Sequence, residues 1–137
     1  MGLQNTPVTN LSPLKNLTQL TFLNISNTPI KDITALQTTT KLKTLQAANT
    51  QIKQIDALKN CLELTDLQLD GSPIENIEVV AKLRRLTYLG IANTPINSLK
   101  PLNKHNSLEM MNCKNTPIPM LDLDDFKWAN PNCAIEQ

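Results

Sequence analysis

Three cysteines and one histidine are the side chains of this sequence that could bind a transition-metal ion. Structural zinc sites usually use closely spaced ligand pairs such as C-x-x-C, whereas Cys61, Cys113 and Cys133 are widely separated in the sequence. His105 has no second histidine to pair with. An odd number of cysteines also argues against a disulfide framework and leaves the redox compartment open. We therefore expect no metal site and no cofactor.

Few side chains could support catalysis. A nucleophilic mechanism needs a base beside the nucleophile, and the only histidine, His105, falls on the side of the predicted fold that faces away from the strands. The carboxylate pairs Glu75 with Glu78 and Asp124 with Asp125 fall in a predicted turn and at a predicted helix start, where capping or solvation explains them. The three glycines form no phosphate-binding loop. We predict that the chain is not an enzyme and takes no small-molecule substrate.

Basic residues could indicate nucleic-acid binding. Acidic residues at Glu63 and Asp66 interrupt them, and the formal net charge is only +1, which gives no strong attraction for a polyanion. Nucleic-acid contact is disfavoured, but a ribonucleoprotein-type scaffold remains the alternative function. The basic residues in question are Lys41, Lys43, Lys82, Arg84 and Arg85.

One phrase recurs at a fixed interval and organises the whole chain. Asn-Thr-Pro-Ile or a close variant begins at Asn5, Asn27, Asn49, Gly71, Asn93 and Asn115. A fixed period of about 22 residues indicates a solenoid of stacked repeats. We number the repeat positions so that Leu20 is position 1; the recurring phrase then begins at position 8, and the apolar positions are 1, 4, 6, 11, 14 and 17.

The apolar positions predict two kinds of local structure. Positions 1 to 7 predict a short strand, because apolar positions 4 and 6 alternate with polar positions 3, 5 and 7. Successive strands would pair in parallel, about 4.8 Å apart. Positions 11, 14 and 17 are spaced by three, which favours a 3₁₀ or irregular segment over a long α-helix. Proline at position 10, absent only at Gln51, should end the strand because it has no N–H to donate.

Positions 8 and 9 predict a tight corner where each turn leaves the sheet. Position 8 is Asn or Gly, the residues that most readily adopt a left-handed backbone. Position 9 is Thr or Ser in every repeat. We expect its hydroxyls to bond backbone groups of the corner and to form a polar ladder between turns.

The pattern L-x-x-L-x-I-x-N-T-P-I-x-x-I-x-x-L resembles the leucine-rich repeat, in the short class of internalins and of certain phosphatase regulators. The resemblance covers nearly the whole chain. Asn or Cys usually stands where this chain has Thr28 and its equivalents, a departure similar to N-T-x-I variants of bacterial leucine-rich repeat proteins. The resemblance implies an α/β solenoid, right-handed, with about seven parallel strands on the concave face, a thin 3₁₀ or irregular convex side and a C-terminal helix cap.

The C-terminal sequence breaks the repeat rhythm and predicts a cap, so that residues 1–121 hold the repeats and 122–137 the cap helix and last strand. Acidic residues followed by a proline predict a helix over 122–131. Adding one more period places Cys133 and Ile135 at positions 4 and 6 of the last strand. Phe126 and Trp128 should cover the end of the apolar core.

The N-terminal sequence begins in the middle of a repeat. No comparable cap precedes Leu3, and solenoids need polar caps for solubility. We expect a fragment that lacks its N-terminal cap, and its open strand edge could pair with another chain.

The strand residues that face solvent predict the function. Large side chains at Phe22, Tyr88 and Met110 stand on that face beside small residues at Gly90 and Ala92, as in a docking patch. We predict a non-catalytic module that binds a protein partner on its concave face and forms part of a larger bacterial protein. The predicted contact residues are Phe22, Asn24, Thr44, Gln46, Asp66, Gln68, Asp70, Tyr88, Met110 and Asn112.

Overall fold

Each repeat places one short strand beside the strand of the previous repeat. The computed structural model describes residues 1–137, and the strands form one open parallel sheet in the order of the chain. Partners in β1 to β5 are one full repeat apart, such as Phe22 and Thr44, so the sequence period sets the sheet register. The strands are β1 (Phe22–Asn24), β2 (Thr44–Gln46), β3 (Asp66–Gln68), β4 (Tyr88–Gly90), β5 (Met110–Asn112) and β6 (Ala134–Glu136).

The sheet has six strands, where the repeat resemblance implied about seven. The first turn contributes an isolated parallel bridge between Gly2 and Asn24. It is still tied to β1, since the Leu3 N–H donates to the Asn24 carbonyl at 2.7 Å. The predicted parallel solenoid is confirmed, with a weaker first rung.

The strands are shorter than the sequence predicts, and proline does not end them. They cover positions 3 to 5, although backbone bonds between turns continue to position 8, where the Asn27 N–H donates to the Ala48 carbonyl at 2.9 Å. At position 10, the Gln51 N–H donates to the Ile30 carbonyl at 2.9 Å. Proline at this position in the other repeats lacks that donor, so its effect is confined to the corner.

Short 3₁₀ helices line the opposite side, as the three-residue spacing predicts. Each begins just after position 14, and in four of the five the side chain at position 13 accepts from the N–H two residues later. Asp32 Oδ1 accepts from the Thr34 N–H, and Asn76 Oδ1 accepts from the Glu78 N–H, both at 2.7 Å. The 3₁₀ helices are Ser12–Asn16, Thr34–Thr38, Asp56–Asn60, Glu78–Lys82 and Lys100–Leu102.

The hydrophobic core is a single stack between the sheet and the 3₁₀ helices. Close packing of one side chain on its equivalent in the next repeat is possible because all repeats have the same length. From β1 to β5, position 4 forms the central row, in which each side chain is fully buried: Leu23, Leu45, Leu67, Leu89 and Met111.

The corner residues at position 8 adopt the left-handed backbone, as predicted. They have φ between 54° and 71°, where asparagine and glycine are favoured over other residues. The corner therefore turns at the same residue in all six repeats. These residues are Asn5, Asn27, Asn49, Gly71, Asn93 and Asn115.

The hydroxyls at position 9 bond the corner backbone, but most of them do not link turns. The Thr28 hydroxyl donates to the Ile25 carbonyl of its own turn at 2.6 Å, and the other threonines of the column act alike. The exception is the joint of Thr50 and Ser72, whose hydroxyls lie 2.9 Å apart, and Ser72 also donates to the Ala47 carbonyl at 2.9 Å and accepts from the Thr50 N–H at 3.0 Å. The predicted ladder of hydroxyls between turns therefore has only this one rung.

Asparagine side chains at position 8 form the ladder between turns instead. Each Nδ2 donates to the Oδ1 of the preceding repeat. The ladder joins Asn5 to Asn27, Asn27 to Asn49 and Asn93 to Asn115, at 2.9, 3.0 and 3.0 Å. Gly71 interrupts it between Asn49 and Asn93.

The C-terminal helix α1 covers Met120–Ala129, beginning two residues before the predicted start. It shifts the last strand: Met110 pairs with Ala134 and Met111 with Ile135, two residues later than the repeat period predicts. The predicted placement of Cys133 and Ile135 at positions 4 and 6 is thus wrong, and Ile135 lies at position 4. With ten residues α1 is the longest helix, and none is long and apolar enough to cross a membrane.

One of the two predicted capping aromatics is buried and the other is not. Phe126 is fully buried in the core, whereas Trp128 is 88% exposed. Leu121, which the repeat pattern places at an apolar position, is 70% exposed because it lies on the helix. A carboxylate anchors α1 instead: Asp122 Oδ2 accepts from the Ser98 hydroxyl at 2.7 Å and the Leu99 N–H at 3.1 Å.

Candidate functional site

The concave face consists of the side chains at positions 3, 5 and 7, which point away from the buried position 4. Because the strands are in register, equivalent positions form straight rows about 4.8 Å apart from strand to strand. All ten predicted contact residues lie on this face, nine on strands and Asp70 two residues after β3. Position 3 forms the row Phe22, Thr44, Asp66, Tyr88, Met110 and Ala134.

The apolar residues of this face do not form one patch. Tyr88 and Met110 are directly paired across β4 and β5, and both are half-buried. Phe22 is 40% exposed but stands on β1, separated from Tyr88 by the rungs of Thr44 and Asp66. The structure therefore brings together two of the three predicted anchors.

Two aspartates of the β3 turn lie near Tyr88 and are held in place by their neighbours. Asp66 Oδ1 accepts from the Gln68 side-chain amide at 3.1 Å. Asp70 Oδ1 accepts from the Ala92 N–H of the next turn at 2.9 Å. Its other oxygen leans over Gly90, where a side-chain Cβ would collide with it. Glycine at position 5 of β4 therefore provides the space that the Asp70 carboxylate fills.

The pKa values show that these groups share one electrostatic environment. Burial raises the pKa of Tyr88, and the nearby carboxylates of Asp70, Asp66 and Glu136 raise it further. Burial also raises the pKa of Asp66, partly opposed by the hydrogen bond from Gln68. The centre of the concave face thus has a negative potential around an aromatic ring.

The negative charge of this centre is not balanced by ion pairs. On the concave face Lys114 pairs with Glu136 at 3.3 Å, at the C-terminal end of the sheet. The remaining ion pairs, Lys41 with Glu63 and Lys53 with Glu75, involve other parts of the repeat. Asp66 and Asp70 make none, so their carboxylates remain available to a cation.

The cysteines and the histidine lie apart from this face. Cys61 and His105 are buried at the equivalent position of two repeats, behind the 3₁₀ helices, and His105 Nε2 is 3.0 Å from the Leu83 carbonyl. Burial lowers the pKa of His105 and raises those of the Cys61 and Cys113 thiols, which disfavours their charged forms. No three His, Cys, Asp or Glu side chains converge as a set of metal ligands.

Sequence reasoning missed two parts of this site. The first is the hydrogen bond from the Ala92 N–H to the Asp70 carboxylate, which links two turns. It joins a side chain to the backbone, so no pattern of residue types specifies it. The repeat pattern also places Glu136 at the wrong position, because the last strand is shifted by two residues. The length of α1 could have shown this, since a ten-residue helix needs more chain than the segment it replaces.

The repeats match a known family model. The model of leucine-rich repeats, in two copies, matches residues 2–38. The same geometry of parallel strands and short outer helices continues from there to β5. The chain therefore has the leucine-rich repeat fold. No curated protein sequence gives a significant match.

Solved structures of leucine-rich repeat proteins share the fold. An internalin (inlF) from Listeria monocytogenes has a TM-score of 0.91 at 24% identity, over 99% of this chain and 42% of that one. Internalin C2 from the same species has a TM-score of 0.83 at 31% identity, over 100% of this chain and 64% of that one. A leucine-rich repeat protein of Leptospira interrogans has a TM-score of 0.91 at 15% identity, over 100% of this chain and 37% of that one. The chain thus spans about two fifths to two thirds of these longer relatives.

Proposed function

We propose that this leucine-rich repeat protein binds a protein partner on its concave face and carries out no catalysis itself. The observation that carries the proposal is the pairing of Tyr88 with Met110 on the solvent side of β4 and β5. An aromatic ring with a polar tip beside a flexible thioether, bordered by carboxylates, has the composition expected at the centre of an interface.

The rigidity of the face supports this role. Backbone bonds run between turns on both sides of β1 to β5, and the repeats pack on one continuous core. Side chains on such a sheet lose little conformational freedom on binding, which lowers the entropic cost of association.

The lengths of the structural relatives support a place within a larger protein. The chain covers 42% of the first internalin and 64% of the second. We propose that the natural protein is a bacterial one with further segments, and that any chemistry belongs to them.

Charge favours a protein partner over nucleic acid. Asp66 and Asp70 face solvent without a paired cation, and they would repel phosphate groups at the centre of the face. A ribonucleoprotein-type scaffold would instead need basic side chains there.

The proposal is tested by substitution with a defined probe. Peptides are selected from a random phage-displayed library on the immobilised protein, and their affinities are measured by calorimetry. Tyr88→Ala and Met110→Ala should each weaken binding by about 1–4 kcal/mol, as truncated interface anchors do. Lys59→Ala, on an exposed side chain of a 3₁₀ helix, is the control and should change little. Equal losses from all three variants would contradict the concave site.

A further inference from the structure

We propose that the partner presents a lysine or arginine side chain, flanked by apolar residues, to Tyr88 and the carboxylates of Asp66 and Asp70. This inference rests on the proposed binding function of the concave face and specifies the chemistry of the partner.

The geometry places the aromatic ring beside two carboxylates of the neighbouring turn. Asp66 and Tyr88 are direct partners across β3 and β4, so they are neighbours in the position 3 row. Asp70 follows β3 on the same face, and its free oxygen lies over Gly90, two residues from Tyr88. A cation above this ring would gain both cation–π attraction and charge-assisted hydrogen bonds.

Charge complementarity identifies the occupant. Positions 3, 5 and 7 of the sheet carry Asp66, Asp70 and Glu136 against a single ammonium group, that of Lys114. The whole chain has a formal net charge of +1, so this face is negative on a slightly positive molecule. A basic group is therefore attracted to the concave face and not to the molecule at large.

The neighbouring side chains select a polypeptide over a simple metal ion. No third ligand joins the two aspartates in a set that could hold a metal. Met110, next to Tyr88, instead offers an apolar contact beside the carboxylates. A basic side chain with apolar neighbours in the partner would match both surfaces at once.

The experiment uses the selected library peptides described above. The proposal expects them to be enriched in lysine or arginine next to apolar residues. Replacing the arginine of a selected peptide by citrulline, which has nearly the same shape without the charge, should weaken binding roughly tenfold or more. Asp66→Asn should cause a similar loss for the arginine peptide and little change for the citrulline peptide. Asp56→Asn, an exposed carboxylate on a 3₁₀ helix, is the matched control.

The outcomes separate this inference from the proposed function. If binding depends on Tyr88 and Met110 but not on the peptide charge or on Asp66, the concave site stands and the basic partner is overturned. If binding is insensitive to every concave substitution, both proposals fail. A citrulline loss that is equal in wild type and in Asp66→Asn would place the cation elsewhere and also overturn the inference.

Discussion

Among single residues, His105 is a titratable side chain that the fold buries almost completely. It is 1% exposed, and its ring nitrogens lie near the Leu83 carbonyl and the Ser107 hydroxyl, at 3.0 and 3.4 Å. Leucine occupies the same position at Leu17 and Leu83, whereas Thr39 and Cys61 occupy it in the two repeats between them. Its charge state therefore affects the stability of the repeat around it.

The burial of His105 predicts a pH-dependent stability. Burial lowers its pKa in the folded state below the usual 6.5, so the unfolded chain takes up the proton first as the pH falls. Neutral His105 therefore contributes to the free energy of unfolding above pH 6.5. This contribution is lost as the pH falls from 6.5 towards the lower pKa of the folded state. The slope approaches about 1.4 kcal/mol per pH unit in that window.

Chemical denaturation at several pH values measures this slope. His105→Leu copies the residue found at Leu83 and should remove the His105 component while leaving the other titrations unchanged. If the variant and the wild type lose stability in parallel between neutral and mildly acidic pH, the histidine is not responsible.

Among the elements, the cap helix α1 differs most from the repeats. It covers the end of the core with the fully buried Phe126 and the half-buried Leu123, and leaves Met120, Leu121 and Trp128 exposed. Its first turn is fixed by the Asp122 carboxylate, which bonds the preceding repeat at Ser98 and Leu99. The helix is thus held by one fully buried ring, one half-buried leucine and one carboxylate contact.

The two aromatics of α1 should have unequal effects on stability. Phe126→Ala leaves a cavity in the end of the core and should reduce the free energy of unfolding by about 3–5 kcal/mol. Trp128→Ala removes an exposed ring and should change it by no more than about 0.5 kcal/mol. Urea denaturation followed by circular dichroism gives both values; similar losses would show that Trp128 helps to hold the cap.

The elements also show where sequence reasoning works. Repeat periodicity specifies the strands, the 3₁₀ helices and the left-handed asparagines, because each follows from residue type at a fixed position. It fails at β6, where α1 adds two residues to the repeat, and at Trp128, which the helix turns towards solvent. On the concave face, the pattern predicts the row containing Tyr88 and Met110. The contact of Asp70 with the next turn depends on side-chain geometry that the pattern does not encode.

At the scale of the whole molecule, the repeats form a one-dimensional array in which each turn contacts its neighbours. The turn at residues 1–5 bonds β1 through Leu3 and Asn5 on one side. The Gln4 N–H makes no backbone hydrogen bond, and the side chain is exposed. Within residues 1–137, this edge is the unpaired side of the sheet at its N-terminal end.

The open edge predicts self-association of this 137-residue chain. An unpaired strand edge can pair with a strand of another chain. Sedimentation velocity should therefore show a dimer whose fraction grows with protein concentration. Gln4→Pro removes an outward donor and should shift the distribution towards monomer. Gln51→Pro, which copies the proline of the other repeats inside the array, serves as the control. A wild-type chain that stays monomeric at high concentration would rule out edge pairing.

The break in the asparagine ladder at Gly71 has a mechanical consequence. On either side of Gly71 the turns are joined by different links: Ser72 ties inward to Ala47 and Thr50, and Asp70 ties to the Ala92 N–H on the concave face. Only the asparagine side-chain bond is missing at these two joints, because the backbone bonds from the Asn49 and Gly71 N–H groups continue across them. The joints therefore rely on Ser72 and Asp70 for their side-chain links, and a partner that binds the Asp70 carboxylate would act directly on one of them.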